Sequence, residues 1–431
     1  MSIQENIQDT VNTHSTPSEL RITDLRTAVV ASNYDYPIIR IDTNQDIYGI
    51  GEVRDAGHRE NVLQYKSILL GQNPCNIDMI FRLIKRYGNS GREAGGVCAI
   101  EIALWDLIGK VYQAPCYQFL GGKYRSKVRL YADTPQPTDP TPERYVDAVL
   151  GRKNIGMTFI KFDLGIHALN GYVAGGTVGQ PSPYNFRLGD RWTARGSDAG
   201  SQLTDRGIGR LSEIVGAVRE AVGWDLSLAV DHFGPITVKD GVRLGRALEP
   251  YGLSWMEDIL PWWDIAGNQE VTRAINVPTL NGEDIYLLDG WREMIERRAI
   301  DIIQPDLLSA GGMLETKRIA DYAEEHGLPT ALHFAGSPIA FMANLHCAAA
   351  IPSFVALEHH GLDLPFWPDL VTGLPDDYLE DGFVRVPEKP GLGVDLNYDG
   401  IEANLRRPGL FQATEEWSVP KLGFWQPDRD R

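Results

Sequence analysis

Three carboxylates in this chain recur at one interval: Asp231 in LSLAVDHF, Glu257 in GLSWMED and Glu283 in PTLNGED, each 26 residues from the next. Each closes an apolar, β-rich run, and 26 residues accommodate one strand, one loop and one helix. Such a period sets successive strand ends side by side in a parallel α/β barrel, whose C-terminal rim carries the chemistry of that architecture. Carboxylates converging there repel one another unless a hard divalent cation lies between them. Mg²⁺ suits a few carboxylates with positions left for water and substrate, so Asp231, Glu257 and Glu283 are the candidate metal ligands.

The period continues on both sides. Strand ends at Asp163, Asp231, Glu257, Glu283, Asp306, His333 and Glu358 are separated by 68, 26, 26, 23, 27 and 25 residues. The apolar runs between them (TFIKFDL, LSLAVD, LSWME, AIDIIQPD, PTALHF, FVALE) read as buried parallel strands. The single long interval holds a segment rich in Gly, Ser, Pro and aromatics at about 166–207. It reads as an insertion on the active-site rim, either a lid or a disordered segment, with the lid favoured. Upstream, TAVVAS, YPIIRIDT and IYGIGEV form an antiparallel meander, and helical periodicity runs from about 61 to 110 through VCAIEIALWDLIGK.

The expected organisation is a polar tail at 1–20, an α+β capping domain at 21–125, a barrel at 126–368 and a C-terminal segment at 369–431 packing back on the cap. The chain carries a formal net charge of −17, which argues against a nucleic-acid or anionic-membrane partner, since both require concentrated cationic side chains. Cys75, Cys98, Cys116 and Cys347 show no CxxC spacing, and the N-terminus lacks a signal peptide's basic and apolar regions. A reducing cytoplasm is the expected setting.

Beyond the acidic triplet, Asp306 and His333 on adjacent strand ends can pair. The carboxylate would fix the imidazole tautomer and raise its basicity, making a general base. On the second strand, Lys161 and Asp163 share the inward face while Phe162 points out. Lys161 there neutralises a substrate carboxylate, acts as an acid or base, or forms a salt bridge with a rim carboxylate.

This ordered set, Lys161-Phe162-Asp163, Asp231, Glu257-Asp258, Gly282-Glu283, Asp306, His333 and Glu358, together with VCAIEIALWDLIGK and KPGLGV, resembles the mandelate racemase subgroup of the enolase superfamily, and within it the D-galactonate dehydratase type. The resemblance spans about residue 22 to the C-terminus. It implies a modified TIM barrel, (β/α)7β, under an α+β capping domain, one Mg²⁺ per subunit on the three acids, and a homo-oligomer. It further implies His333 as the residue that removes the α-proton of a sugar acid, oriented by Asp306, and Glu358 as a protonated partner of the substrate carboxylate.

The expected reaction is dehydration of an aldonate or aldarate to a 2-keto-3-deoxy acid. Epimerisation or cycloisomerisation through the same enolate, and a non-catalytic metal-binding scaffold, are the alternatives. Two departures from the resembling pattern stand out. The second strand has Asp163 where a second lysine occurs in racemase-like members. Two residues after the first metal ligand stands Phe233 in place of an acid histidine, with His232 one position early, where strand alternation turns it away unless a bulge restores it. Tyr34, Arg54 and His58, on two capping-domain loops, are the candidate contacts to the distal end of the substrate.

Overall fold

The computed structural model describes residues 15–165, 168–169, 173, 175–178, 202–231, 236–375 and 377–419. The rim segment expected as a lid falls almost wholly outside the described residues, as do His232 and Phe233.

The chain first forms a three-stranded antiparallel sheet, β1 (Ile22–Val30), β2 (Tyr36–Thr43) and β3 (Tyr48–Glu52), in that order. Helix α1 (Ile77–Ile84) and the long α2 (Gly95–Tyr112) cover it. Helix α2 carries apolar side chains on nearly every face and is buried along almost its whole length, wedged between the sheet and the barrel. Contact with β3 is too close for side chains. A Cβ on Gly49 would lie 1.9 Å from the Ala103 carbonyl oxygen, so only glycine fits.

The barrel follows, with eight parallel strands: β4 (Lys127–Ala132), β5 (Phe159–Asp163), β6 (Ser227–Asp231), β7 (Met256–Glu257), β8 (Thr279–Asn281), β9 (Ile302–Ile303), β10 (Thr330–Leu332) and β11 (Phe354–His359). They pair in chain order and close through β11 on β4. Seven helices alternate with them: α3 (Pro142–Asn154), α4 (Asp205–Val222), α5 (Val238–Leu248), α6 (Ile265–Ala274), α7 (Leu287–Glu296), α8 (Gly312–Glu325) and α9 (Pro338–Ala350). This is the (β/α)7β barrel.

Its interior is layered. Tyr131, Phe159, Ala229, Trp255, Leu280, Ile302, Ala331 and Ala356 form one buried cluster, one residue from each strand or its edge. Phe159 and Trp255 pack edge-on at 4.6 Å, closing the barrel floor. Strand alternation places the next inward position two residues further on. Those positions are Asp133, Lys161, Asp231, Glu257, Gly282, Gln304, His333 and Glu358. The polar site is thus the layer directly above an apolar plug.

Two buried carboxylates clamp the cap onto the barrel. Glu52, at the end of β3, accepts hydrogen bonds from the Ser337 backbone N–H at 2.9 Å and the Ala340 N–H at 3.4 Å, and from the Ser337 hydroxyl. Glu101, on α2, accepts from the Met313 N–H at 2.7 Å, the Leu314 N–H at 3.0 Å and the Trp105 indole at 2.6 Å. Each acid therefore satisfies the free N–H groups that begin α9 and α8. These helices follow the strands whose ends carry His333 and Asp306.

The C-terminal segment touches both parts. Phe383–Arg385 pairs antiparallel with the first half of β4. The Arg406 N–H donates to the Val29 carbonyl, and the Leu392 N–H to Asp106 of α2.

Burial pushes the Glu52 carboxyl from its ordinary 4.5 up to about 8, against the pull of its donors. Between these values the unfolded chain releases the proton while the folded chain keeps it. Stability contributed by Glu52 is therefore fully present below pH 4.5 and is lost as pH rises through 8. In urea unfolding at pH 5 and pH 8, Glu52→Gln should remove about 2–4 kcal/mol of that decline.

Candidate active site

At the centre of the barrel mouth the Lys161 Nζ lies 2.8 Å from Asp231 Oδ2, 2.9 Å from Glu257 Oε1 and 2.7 Å from Glu358 Oε1. All four side chains are buried. An ammonium has three protons, and each meets a carboxylate, so of the alternatives for Lys161 the structure takes the salt bridge, threefold. Burial disfavours its charge, but Asp231, Glu257 and Glu358 together hold its pKa well above the ordinary lysine value. Glu257 is further fixed by the Gln304 side-chain amide at 2.7 Å and the Trp255 indole at 3.1 Å.

Beside this cluster stands the histidine. The His333 Nδ1 donates to Asp306 Oδ2 at 2.6 Å, which fixes the ring and aims Nε2 inward, 2.8 Å from Glu283 Oε2 and 3.6 Å from Glu358 Oε2. Burial opposes protonation of His333, yet Glu283 and Glu358 outweigh it and hold the pKa well above that of a free imidazole. Asp306 is held on all sides. Oδ1 caps the following turn by accepting from the Leu308 N–H, and Oδ2 also receives the Arg54 Nη1 at 2.8 Å.

Glu358 faces Lys161 on one side and His333 on the other. Burial would raise its pKa, but Lys161 and His333 outweigh burial, and the carboxylate is held well below its ordinary range. Tyr131 donates toward it from 3.1 Å, and the Phe334 N–H from 3.3 Å.

The other candidates divide. Asp163 is buried and lies in register with Asp231 across β5 and β6. Arg54, expected at the distal end of a substrate, is instead 1% exposed. Its guanidinium joins Asp306, Asp55 at 2.6 Å, the Ser309 hydroxyl at 2.9 Å and the Glu283 carbonyl at 3.2 Å. Tyr34 and His58 lie exposed on capping-domain loops rather than in the buried cluster.

Tyr131, Gln304, Asp133 and His360 line the same mouth and were not singled out from the sequence, although all four sit at inward positions of the two-residue alternation. Among the described residues a cavity of about 510 Å³ lies elsewhere, between the start of β4 and the C-terminal segment around Tyr378 and Phe383.

The donors fit a hard cation in kind and in charge. Burial and Asp231 push the Glu257 carboxyl well above its ordinary value. Burial and Glu283 do the same to Asp258, and raise Asp284 to about 6. The rim thus holds more carboxylate than Lys161, Arg54 and His333 neutralise, and oxygen donors are what Mg²⁺ takes. Asp231 and Glu257 are drawn to Lys161, and Glu283 to His333. Among the described residues, ligand atoms of His333, Glu358 and His360 all lie within 4.8 Å of one another.

An eight-stranded barrel with acids, a lysine and an Asp–His dyad on successive strand ends, roofed by an α+β cap, defines an enolase-type enzyme. Residues 8–121 match the mandelate racemase / muconate lactonizing enzyme N-terminal domain, and residues 189–400 match the enolase C-terminal domain-like family. The chain belongs to the enolase superfamily, in its mandelate racemase group, and such membership implies a divalent metal.

A D-xylonate dehydratase from Haloferax volcanii is 35% identical over 404 residues, covering 92% of each chain. A D-galactonate dehydratase family member from Cellvibrio japonicus is 30% identical over 397 residues, 88% of this chain and 93% of that protein. The crystal structure of a mandelate racemase/muconate lactonizing enzyme-like protein from Rubrobacter xylanophilus superposes with a TM-score of 0.78 at 28% identity, covering 91% of this chain and 99% of the other.

Removing Lys161 leaves three buried carboxylates without their shared counter-charge. Lys161→Met should lower the unfolding free energy of the metal-free protein by about 3–5 kcal/mol in urea titrations. Adding Glu358→Gln should cost less than the sum of the two single changes, because the second substitution removes one of the orphaned charges.

Proposed function

We propose that this chain is a Mg²⁺-dependent sugar-acid dehydratase acting on an aldonate or aldarate and releasing a 2-keto-3-deoxy acid. The observation that carries the reading is the His333 ring, locked by Asp306 so that Nε2 faces the acidic mouth, within a chain that aligns end to end with named sugar-acid dehydratases.

Asp231, Glu257 and Glu283 would hold the cation. When bound, it stabilises the negative charge that builds on the substrate carboxylate as the α-proton leaves. The residues of the chain do the rest. With Glu283 drawn to the cation, His333 would lose the acid that most raises its pKa, leaving Nε2 free to take the α-proton. Asp306 keeps the imidazole tautomer and rotamer that this transfer requires. Lys161 holds Asp231, Glu257 and Glu358 at fixed separations and offers positive charge beside the substrate carboxylate. Trp255, Phe159 and Tyr131 exclude water from beneath the site. Asp163 would meet a substrate hydroxyl, and Tyr34 and His58, on the capping-domain loops, would meet the distal end.

Names of the relatives favour loss of water over epimerisation or cycloisomerisation. Cys98, Cys116 and Cys347 are buried and unpaired, which suits the reducing cytoplasm.

A panel of aldonates and aldarates with Mg²⁺ should yield a semicarbazide-reactive 2-keto acid from at least one member, with chelator abolishing turnover. His333→Asn should lower kcat by at least about 10³-fold while substrate still binds by calorimetry. A panel in which stereochemistry changes and no water is lost would replace the dehydratase reading with epimerisation.

A further inference from the structure

Dehydration needs two proton transfers, one from the α-carbon and one to the departing β-hydroxyl. The Asp306–His333 dyad supplies the first, and a second imidazole–carboxylate pair stands across Glu358 from it. On β11 and just beyond it, Glu358 and His360 share the inward face by alternation, while His359 points the other way. The His359 ring is packed among Phe341, Trp367 and Tyr378, and burial lowers its pKa to about 3, so it is a neutral core residue. His360 differs in every respect. Its Nδ1 lies 3.4 Å from Asp133 Oδ2 and its Nε2 lies 3.4 Å from Glu358 Oε1.

Asp133 follows β4 immediately, two positions above the plug residue Tyr131, so it too faces inward. The His360 side chain is 17% exposed and that of His333 6%. His360 is thus the open, solvent-facing member of the group. Ligating atoms of His333, Glu358 and His360 all fall within 4.8 Å of one another. A base and an acid serving adjacent carbons, each about 3 Å from its target atom, stand on the order of 4–7 Å apart, and the separation of His333 and His360 meets that requirement.

Resting on the dehydratase reading, we propose that His360, oriented by Asp133, is the general acid that protonates the leaving β-hydroxyl. His333 Nε2 takes the α-proton, and the electron pair of that C–H bond becomes the C2–C3 double bond. The C3–O bond breaks with its pair, and the oxygen takes the proton of His360 and leaves as water. The resulting enol gives up its hydroxyl proton and gains one at C3, forming the 2-keto-3-deoxy acid. Solvent restores the proton to His360 and removes the one on His333. Asp133 and Glu358 flank the ring on both nitrogens, which favours its charged, proton-donating form.

The test compares wild type, His360→Gln and Asp133→Asn on a sugar acid that the wild type dehydrates, with Mg²⁺ saturating and folding checked by thermal melts. His360→Gln should lower kcat for 2-keto acid about 10²–10³-fold with KM within about threefold. In deuterium oxide the unreacted substrate should still acquire deuterium at the α-carbon. A 3-deoxy-3-fluoro analogue, whose fluoride departs without full protonation, should eliminate within about tenfold of the wild-type rate. Asp133→Asn should show the same pattern, more weakly.

The assignment is overturned if His360→Gln dehydrates at the wild-type rate. It is also overturned if exchange, dehydration and fluoride loss all fall together, which marks a structural residue. A wild-type enzyme that exchanges the α-proton but forms no 2-keto acid from any sugar acid instead overturns the dehydratase reading on which the assignment rests.

Discussion

The barrel mouth is organised by an excess of buried negative charge. Asp231, Glu257 and Glu358 are almost wholly withdrawn from solvent, and Asp258 and Asp306 are close behind. A carboxylate taken out of water costs several kcal/mol unless paired, and the paired cations here are few. Lys161 serves three acids at once, His333 two or three, and Arg54 joins Asp306 to the capping domain. What charge remains uncompensated appears as carboxyls pushed up at Glu257, Asp258 and Asp284. A divalent cation, which membership of the family implies, would compensate that charge with the oxygen donors it prefers.

The same principle governs how the cap is attached. Glu52 and Glu101 are carboxylates buried at the domain junction, and each is satisfied by the exposed N–H groups at the start of a barrel helix. Arg54, two residues beyond Glu52, shares the very oxygen of Asp306 that orients His333. The capping domain therefore does more than cover the site. Its position and the rotamer of His333 are held by one connected set of hydrogen bonds, so a cap displaced by an ångström would pull on the dyad.

Much of this was legible in the sequence because two periods are geometric. The interval near 26 residues identifies βα units, and the two-residue alternation assigns faces within each strand. Together they placed Asp231, Glu257, Asp306, His333 and Glu358 on one rim. The same alternation, applied to every strand, reaches Tyr131, Asp133, Gln304 and His360 as well, but nothing in composition singles out a lone glutamine or a second histidine as functional. At Gly282 the rule breaks. Its φ of +127° and the approach of Trp291 reorient the chain, and Glu283 rather than its neighbour turns toward His333.

The sequence by itself determined the barrel, its cap and the set of acids, histidine and lysine at the mouth, because spacing along a strand fixes which face and which end a residue occupies. Tertiary structure decided the pairings: Lys161 against three carboxylates, Arg54 on Asp306 instead of on a distal hydroxyl, Glu358 between Lys161 and His333, and His360 beside Asp133. Those depend on angles around the barrel axis and on how far each charge is withdrawn from water. Neither quantity is local, so no reading of one strand at a time contains it.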